Sequence, residues 1–241
     1  MPYSLITLEQ SKSPISEAYR MLRTNVEFTG VDSETKKILI TSPGPREGKS
    51  TTAANLAVSI AQTGKSVLLV DSDMRNPSQH KIFDLDNREG LSLSLVQDQD
   101  SLKYVRITEV PGLVVLTAGP VPPNPAELLG SQRMKHLIAE VSKKFDVVIF
   151  DTPPVIAVAD AAILAQEADG VILVLAAGEV NRDYARKAKE QLDKVGAKIL
   201  GSVLNKVDMK SNDYNYYYHY YGTDKARKKH KKNKKQKTAG E

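Results

Sequence analysis

Apolar residues fall along this chain in short unbroken runs, separated by segments whose apolar positions recur every three to four residues. The runs at 38–41, 67–70, 147–150 and 171–175 are rich in β-branched residues, and 198–204 is similar. Continuous apolar runs of this length suit strands buried on both faces, as in a parallel sheet. The intervening patterns predict helices over 49–63, 132–143, 160–167 and 182–195, with Gly64 and Gly196 placed to close the first and last in a left-handed cap. Segment 107–117 predicts a further strand, or a hairpin turning at Pro111-Gly112. One more helix precedes the first strand: Ser13 and Pro14 supply an N-cap and a first-turn proline, and the pattern runs to about Phe28. Strands and helices alternating through short connections predict an α/β fold, a mostly parallel sheet flanked by helices on both faces.

Composition narrows the class. The chain has 241 residues, 41% hydrophobic and 26% charged, which suits one large domain with a buried core plus a tail. It has no cysteine, which excludes disulfides, thiolate zinc sites and cysteine nucleophiles. The four histidines (His80, His136, His219, His230) are scattered without metal-ligand spacing. The longest apolar stretch, 171–177, falls far short of the about 20 residues that cross a bilayer. The leading MPYSLITLEQ lacks the basic and apolar regions of a signal peptide, so the expectation is a soluble protein of the reducing cytoplasm.

The net charge of +5 conceals a division. Residues 225–241 carry nine Lys/Arg and one acid, while the rest carries 25 bases and 28 acids, a net of −3. Six of the ten tyrosines (Tyr214, Tyr216, Tyr217, Tyr218, Tyr220 and Tyr221) cluster just before that basic run. The expected organisation is an N-terminal segment with its helix at 1–30, a folded body at 31–208, and a low-complexity tail at 209–241.

Chemistry gathers where the strands end. After the run 38–41 come Ser42, Pro43, Gly44, Pro45, Arg46, Glu47, Gly48, Lys49, Ser50 and Thr51, and then a helical pattern. This is a Walker A loop, with Pro43 in the place of the usual first glycine and Gly44 beside it. Its backbone N–H groups surround phosphate at the positive end of a helix, Lys49 reaches the β/γ-phosphates, and the Ser50 hydroxyl can ligate Mg²⁺. Asp71 and Asp73 follow the run 67–70 at i and i+2, so in extended chain they point the same way. Asp151 ends the run 147–150 ahead of Thr-Pro-Pro, matching a Walker B element. An aspartate at a strand end also serves as a simple helix cap. Three beside a phosphate loop are better explained by Mg²⁺–nucleotide chemistry, because ligands of such sheets gather at the C-terminal strand ends.

These residues, with Arg75 after the double aspartate and Glu17-Ala-Tyr-Arg20-Met-Leu-Arg23 near the start, resemble the bacterial tyrosine kinases. That family builds on a MinD/ParA-like P-loop NTPase fold. Without a fused transmembrane part, the chain resembles the Firmicute type, the cytoplasmic autokinases of capsular and exopolysaccharide systems. The resemblance implies ATP and Mg²⁺ as cofactors. It implies that residues 44–51 bind the nucleotide and that Lys49 holds its phosphates. Ser50, Asp73 and Asp151 would form the metal site, and Asp71 would be the base facing the tyrosine hydroxyl; which aspartate is the base stays open. Asn205 stands where MinD-like proteins read adenine, or serves as a turn asparagine. The tyrosine cluster matches the family's autophosphorylated tail, and Glu17, Arg20 and Arg23 match a contact between subunits of a homo-oligomeric ring. Those three residues also read as a solvated face with local ion pairs. A membrane-embedded activator (a polysaccharide co-polymerase) would recruit the chain to the inner face of the cell membrane, and a protein-tyrosine phosphatase would reverse the modification.

Two alternatives stand beside this reading. A MinD/ParA-type ATPase switch without kinase activity usually carries a signature lysine early in the loop, where this chain has Gly44. Tyrosines beside lysines can also stack on and neutralise nucleic acid, which gives an adaptor using the basic tail. Beside a nucleotide site, clustered phenols on a tail read instead as phosphoacceptors, with no specific nucleic acid as partner.

Overall fold

A computed structural model describes residues 5–29, 35–97 and 101–208. The tyrosine cluster at 214–221 and the basic run at 225–241 lie outside the described residues. In chain order the elements are α1 (Ile6–Glu9), α2 (Pro14–Phe28), β1 (Lys37–Thr41), α3 (Lys49–Ala61), β2 (Val67–Asp71), α4 (Gln79–Ile82) and α5 (Leu91–Val96). There follow β3 (Arg106–Ile107), β4 (Leu113–Leu116), α6 (Pro125–Leu129), α7 (Gln132–Lys144), β5 (Val147–Asp151), α8 (Asp160–Ala165), β6 (Gly170–Ala176), α9 (Arg182–Lys194) and β7 (Ile199–Asn205).

The seven strands form one sheet in the order β3-β4-β2-β5-β1-β6-β7. Every pairing is parallel except β3–β4, where the hairpin at Pro111-Gly112 makes an antiparallel edge. The apolar runs read as strands because successive residues enter opposite cores. Leu39, Leu68, Val70, Val148, Phe150 and Leu173 join one cluster with residues of α5, α6, α7, α8 and α9. Ile38, Ile40, Val67, Leu69, Ile149 and Ile172 join the other, with α3 and Val26 of α2. Polar residues on either face of the central strands would therefore meet no water.

Capping follows the sequence. Ser13 accepts from the Ser16 N–H with Pro14 in the first turn of α2, and Gly64 and Gly196 adopt φ of 90° and 70°. One structural relationship positions the site: in the parallel register of β2 and β5, Asp71 lies beside Asp151. Both are the last residues of their strands, so two carboxylates sit side by side at the C-terminal edge. The loop from Thr41 to Lys49 rises next to them, because β1 is the other neighbour of β5. No helix among the described residues is long and apolar enough to cross a membrane.

Candidate active site

The phosphate loop is shaped by three contacts and one glycine. Gly48 takes φ of +93°, and a Cβ there would collide with the Asn205 side-chain amide. Glycine is required on both counts. Gly48 is also the N-cap of α3 and offers no side-chain oxygen, so the first N–H groups of a thirteen-residue helix remain available to an anion. The Glu47 side chain is buried and accepts from the Gly44 N–H at 2.6 Å and the Ala176 N–H at 3.0 Å, which pins the loop to the end of β6. Asn205, ending β7, donates through Nδ2 to the Glu47 carbonyl at 2.9 Å. At the tip, Pro45 and Arg46 are exposed, and Arg46 holds φ of 61°.

Lys49 does not point away from the protein. Its Nζ donates to Asp73 Oδ2 at 2.8 Å and to Ser50 Oγ at 3.2 Å, and stands 3.8 Å from Asp151 Oδ1. The side chains are 12% and 4% exposed for Lys49 and Asp73, and Asp151 is fully buried. Asp73 also accepts from the Asn76 N–H through Oδ1. Asp71 accepts through Oδ2 from the N–H groups of Ser78 and Gln79, each at 2.9 Å, so it acts as the acceptor that starts α4. Gln79 then returns a side-chain amide to Asp151 Oδ2 at 2.8 Å and to the Ser50 carbonyl at 3.1 Å.

The electrostatics follow from burial. Loss of hydration, then the neighbouring Asp151, push the Asp71 carboxyl up to about 8, against the lowering effect of the Gln79 and Ser78 N–H groups. Burial likewise raises Asp151, opposed first by Lys49. For Lys49, burial disfavours the charge, but Asp151 and Asp73 outweigh it and the ammonium is raised.

A divalent cation fits this set. Asp71 Oδ1 and Asp151 Oδ1 are buried without hydrogen-bond partners, next to the Ser50 that begins α3. These are hard oxygen donors, the type Mg²⁺ takes. No group of three or more His, Asp or Glu among the described residues could hold a metal ion alone. One or two carboxylates completed by water and phosphate oxygens are the ordinary Mg²⁺ environment.

The structure thus brings together Gly44, Glu47, Gly48, Lys49, Ser50, Asp71, Asp73, Asp151 and Asn205 in one region. Thr51 continues α3 and receives the Asn55 amide on its carbonyl at 3.0 Å. Glu17, Arg20 and Arg23 belong elsewhere, on α2. Arg20 pairs with Glu17 at 2.9 Å and also donates to the Ser11 carbonyl, while Arg23 donates to the Ser59 carbonyl on α3 at 2.8 Å. Glu17 and Arg20 thus pair within α2, whereas Arg23 is partly buried against α3.

Three functional contacts have no counterpart in the sequence reading. Gln79 sits on a four-residue helix without a periodic signal. The reach of Glu47 to Ala176 joins residues 129 apart. Arg75, part of the double-aspartate motif, grips the buried Asp160 of α8 through two hydrogen bonds of 2.9 and 3.0 Å. The helix-start position of Asp160 was the only sign of it in the sequence.

Comparison with known proteins identifies the fold and the family. Residues 34–240 match the family model described as ParA, "NUBPL iron-transfer P-loop NTPase". The chain is 49% identical over 217 residues to the tyrosine-protein kinase YwqD of Bacillus subtilis (strain 168), covering 90% of this chain and 92% of that one. It is 42% identical to the putative tyrosine-protein kinase CapB of Staphylococcus aureus, covering 86% and 91%. Among solved structures, the chimerical protein CapA2B2 superposes with a TM-score of 0.81 at 46% identity, covering 84% of this chain and 89% of that chain.

Proposed function

The chain belongs to the ParA-type P-loop NTPases and, within them, to the bacterial tyrosine kinases of Firmicute type, and from that premise we propose that it is an ATP-dependent autokinase acting on its own tail. The acceptors are Tyr214, Tyr216, Tyr217, Tyr218, Tyr220 and Tyr221, each modified by an adjacent subunit of a homo-oligomeric ring. The observation that carries the reading is the register of Asp71 beside Asp151, with Lys49 across from both and the phosphate loop next to them.

The residues divide the work as follows. The loop N–H groups and α3 bind the β- and γ-phosphates, and Lys49 exchanges Asp73 for phosphate oxygen. Ser50, Asp73 and Asp151 would hold Mg²⁺, which supplies charge neutralisation on the phosphates. Asp71 accepts the tyrosine proton. A phenol near pKa 10 is a poor match for an ordinary carboxylate near 4. Burial first, then the adjacent Asp151, raise the Asp71 carboxyl in the unliganded site and narrow that gap. Asn205 keeps Nδ2 on the Glu47 carbonyl, which leaves Oδ1 to accept from the amino group of adenine.

Exposure alone does not select the acceptors. Tyr104 is buried and donates to Gln97, but Tyr184 on α9 is 54% exposed. Tyr184 is held in helix α9, and the choice of the cluster rests on its match to the family's autophosphorylated tail. The likeness to CapA2B2 supports an activating partner of the membrane-embedded co-polymerase type, which would bring the chain to the inner face of the membrane. Capsular or exopolysaccharide synthesis and export would be the process regulated, with a tyrosine phosphatase resetting the tail.

In the ring, Glu17 and Arg20 would exchange their local pairing for bidentate contacts with the neighbour. The test mixes two chains that cannot label their own clusters: K49M, which lacks activity and keeps its tail, and a catalytically intact chain with all six cluster tyrosines changed to phenylalanine. Labelling of the K49M tail supports transfer between subunits. An unlabelled mixture, beside a wild type that labels itself at a concentration-independent rate, refutes it. Alanine at Glu17, Arg20 and Arg23 should give monomers by light scattering, with nucleotide binding retained.

A further inference from the structure

We propose that Gln79 is a positioning residue whose side-chain amide sets Asp151 and the start of α3 at Ser50 for a divalent cation, while its backbone N–H ties them to Asp71. This rests on the reading of Ser50 and Asp151 as metal-holding residues. Gln79 is fully buried and bonds Asp71, Asp151 and the Ser50 carbonyl. Its backbone N–H donates to Asp71 Oδ2 at 2.9 Å, and its side-chain Nε2 donates to Asp151 Oδ2 at 2.8 Å and to the Ser50 carbonyl at 3.1 Å. The Gln79 contacts hold each carboxylate through Oδ2; Asp71 Oδ1 is buried without a hydrogen-bond partner, and Asp151 Oδ1, likewise buried, faces the Lys49 ammonium at 3.8 Å.

An amide suits this position better than other side chains. One nitrogen with two N–H donors serves both Asp151 and the Ser50 carbonyl, and it brings no charge. A lysine here would neutralise the pair and compete with a cation. An apolar residue would leave Asp151 Oδ2 buried without a partner, at the full desolvation cost. A carboxylate would add a third negative charge and donate nothing. The Gln79 Oε1 is itself buried and unpartnered, a third acceptor in the cluster. Groups that orient metal-holding side chains in this way commonly change metal affinity about 10–100-fold when removed.

The experiment uses the full chain and two variants, Gln79→Met, which keeps the volume and loses the amide, and Gln79→His, whose ring N–H restores a donor. ADP affinity is titrated by fluorescence of a labelled ADP, first with EDTA and then with increasing Mg²⁺, and Mn²⁺ binding to the ADP complex is followed by electron paramagnetic resonance. Q79M should match wild type in EDTA and need about 10–100-fold more Mg²⁺ to reach its tighter affinity. Q79H should recover part of that gap, and Mn²⁺ binding should weaken in the same order. An unchanged Mg²⁺ requirement in Q79M overturns the proposal while leaving the metal assignment standing. A loss of affinity equal with and without Mg²⁺, tracking a lower melting temperature, overturns it in favour of a purely structural role. A wild type whose ADP affinity ignores Mg²⁺ refutes the metal reading and this inference with it.

Discussion

Lys49 donates to Asp73, Nζ to Oδ2, at 2.8 Å, with both side chains almost wholly buried. The lysine that should hold phosphate thus occupies a carboxylate first, and phosphate must take its place. Lys49→Met should reduce ATP-dependent phosphorylation by at least about 10²–10³-fold, the scale of losing one preorganised charge. It should also destabilise the free protein by roughly 2–4 kcal/mol near neutral pH, because buried carboxylates lose their cation. The loss should shrink at acid pH as those carboxylates take up protons. Urea unfolding at two pH values checks the second effect independently of the first.

Asp71→Asn should have opposite effects on activity and stability. The Asp71 pKa in the fold, about 8, lies above the unfolded carboxylate value. Its stabilising contribution is therefore complete below the unfolded pKa of about 4 and is lost as pH rises through about 8. The variant removes that loss, so its advantage over wild type should grow across this window and then level off. A gain of about 1 kcal/mol corresponds to about 2–4 °C for a chain of this size. Thermal melts in EDTA should show D71N melting higher at alkaline pH, with phosphorylation abolished. A D71N protein that melts lower there would contradict the assignment.

The strands were legible because each central one is buried on both faces, which writes a continuous apolar run; the expected 147–150 run became β5, Val147–Asp151. The phosphate loop was legible because its glycine, lysine and serine are adjacent in sequence. Contacts between distant segments leave no local pattern. Glu47 with Ala176 and Arg75 with Asp160 are of this kind. The short helix α4 was missed for a related reason. It begins on an acceptor, Asp71, that lies seven residues before Ser78 and ends another element. The Glu17, Arg20 and Arg23 pattern was visible in sequence, but its local pairing with Ser11 and Ser59 was not.

The Arg75–Asp160 pair is unequal. Asp160 is fully buried, while the Arg75 side chain is 42% exposed. Removing the arginine strands a buried carboxylate; removing the carboxylate frees an arginine that water can solvate. Arg75→Ala should therefore cost about 3 kcal/mol or more, and Asp160→Asn distinctly less. Chemical denaturation of both variants checks the order, and a reversed order would contradict it.

Glu47→Gln tests the pin between the phosphate loop and β6. Both carboxylate oxygens accept backbone N–H groups, and an amide supplies only one acceptor. One N–H, of Gly44 or Ala176, would then face another donor, at about 1–3 kcal/mol. Nucleotide affinity measured in EDTA should fall about tenfold or more, the loss of one hydrogen bond's worth. Unaltered affinity would remove Glu47 from the site.

The central claim is that this site transfers phosphate to the chain's own tyrosine cluster. Its most direct measurement is mass-spectrometric mapping of the purified full-length protein after incubation with ATP and Mg²⁺, with K49M as control and any activating partner segment added where wild type alone is slow. The expected result is phosphotyrosine at positions among Tyr214, Tyr216, Tyr217, Tyr218, Tyr220 and Tyr221. Tyr184 should be unmodified despite its exposure, and K49M should carry nothing. ATP hydrolysis with no phosphotyrosine, or phosphate equally abundant on Tyr184 and the cluster, would contradict the account.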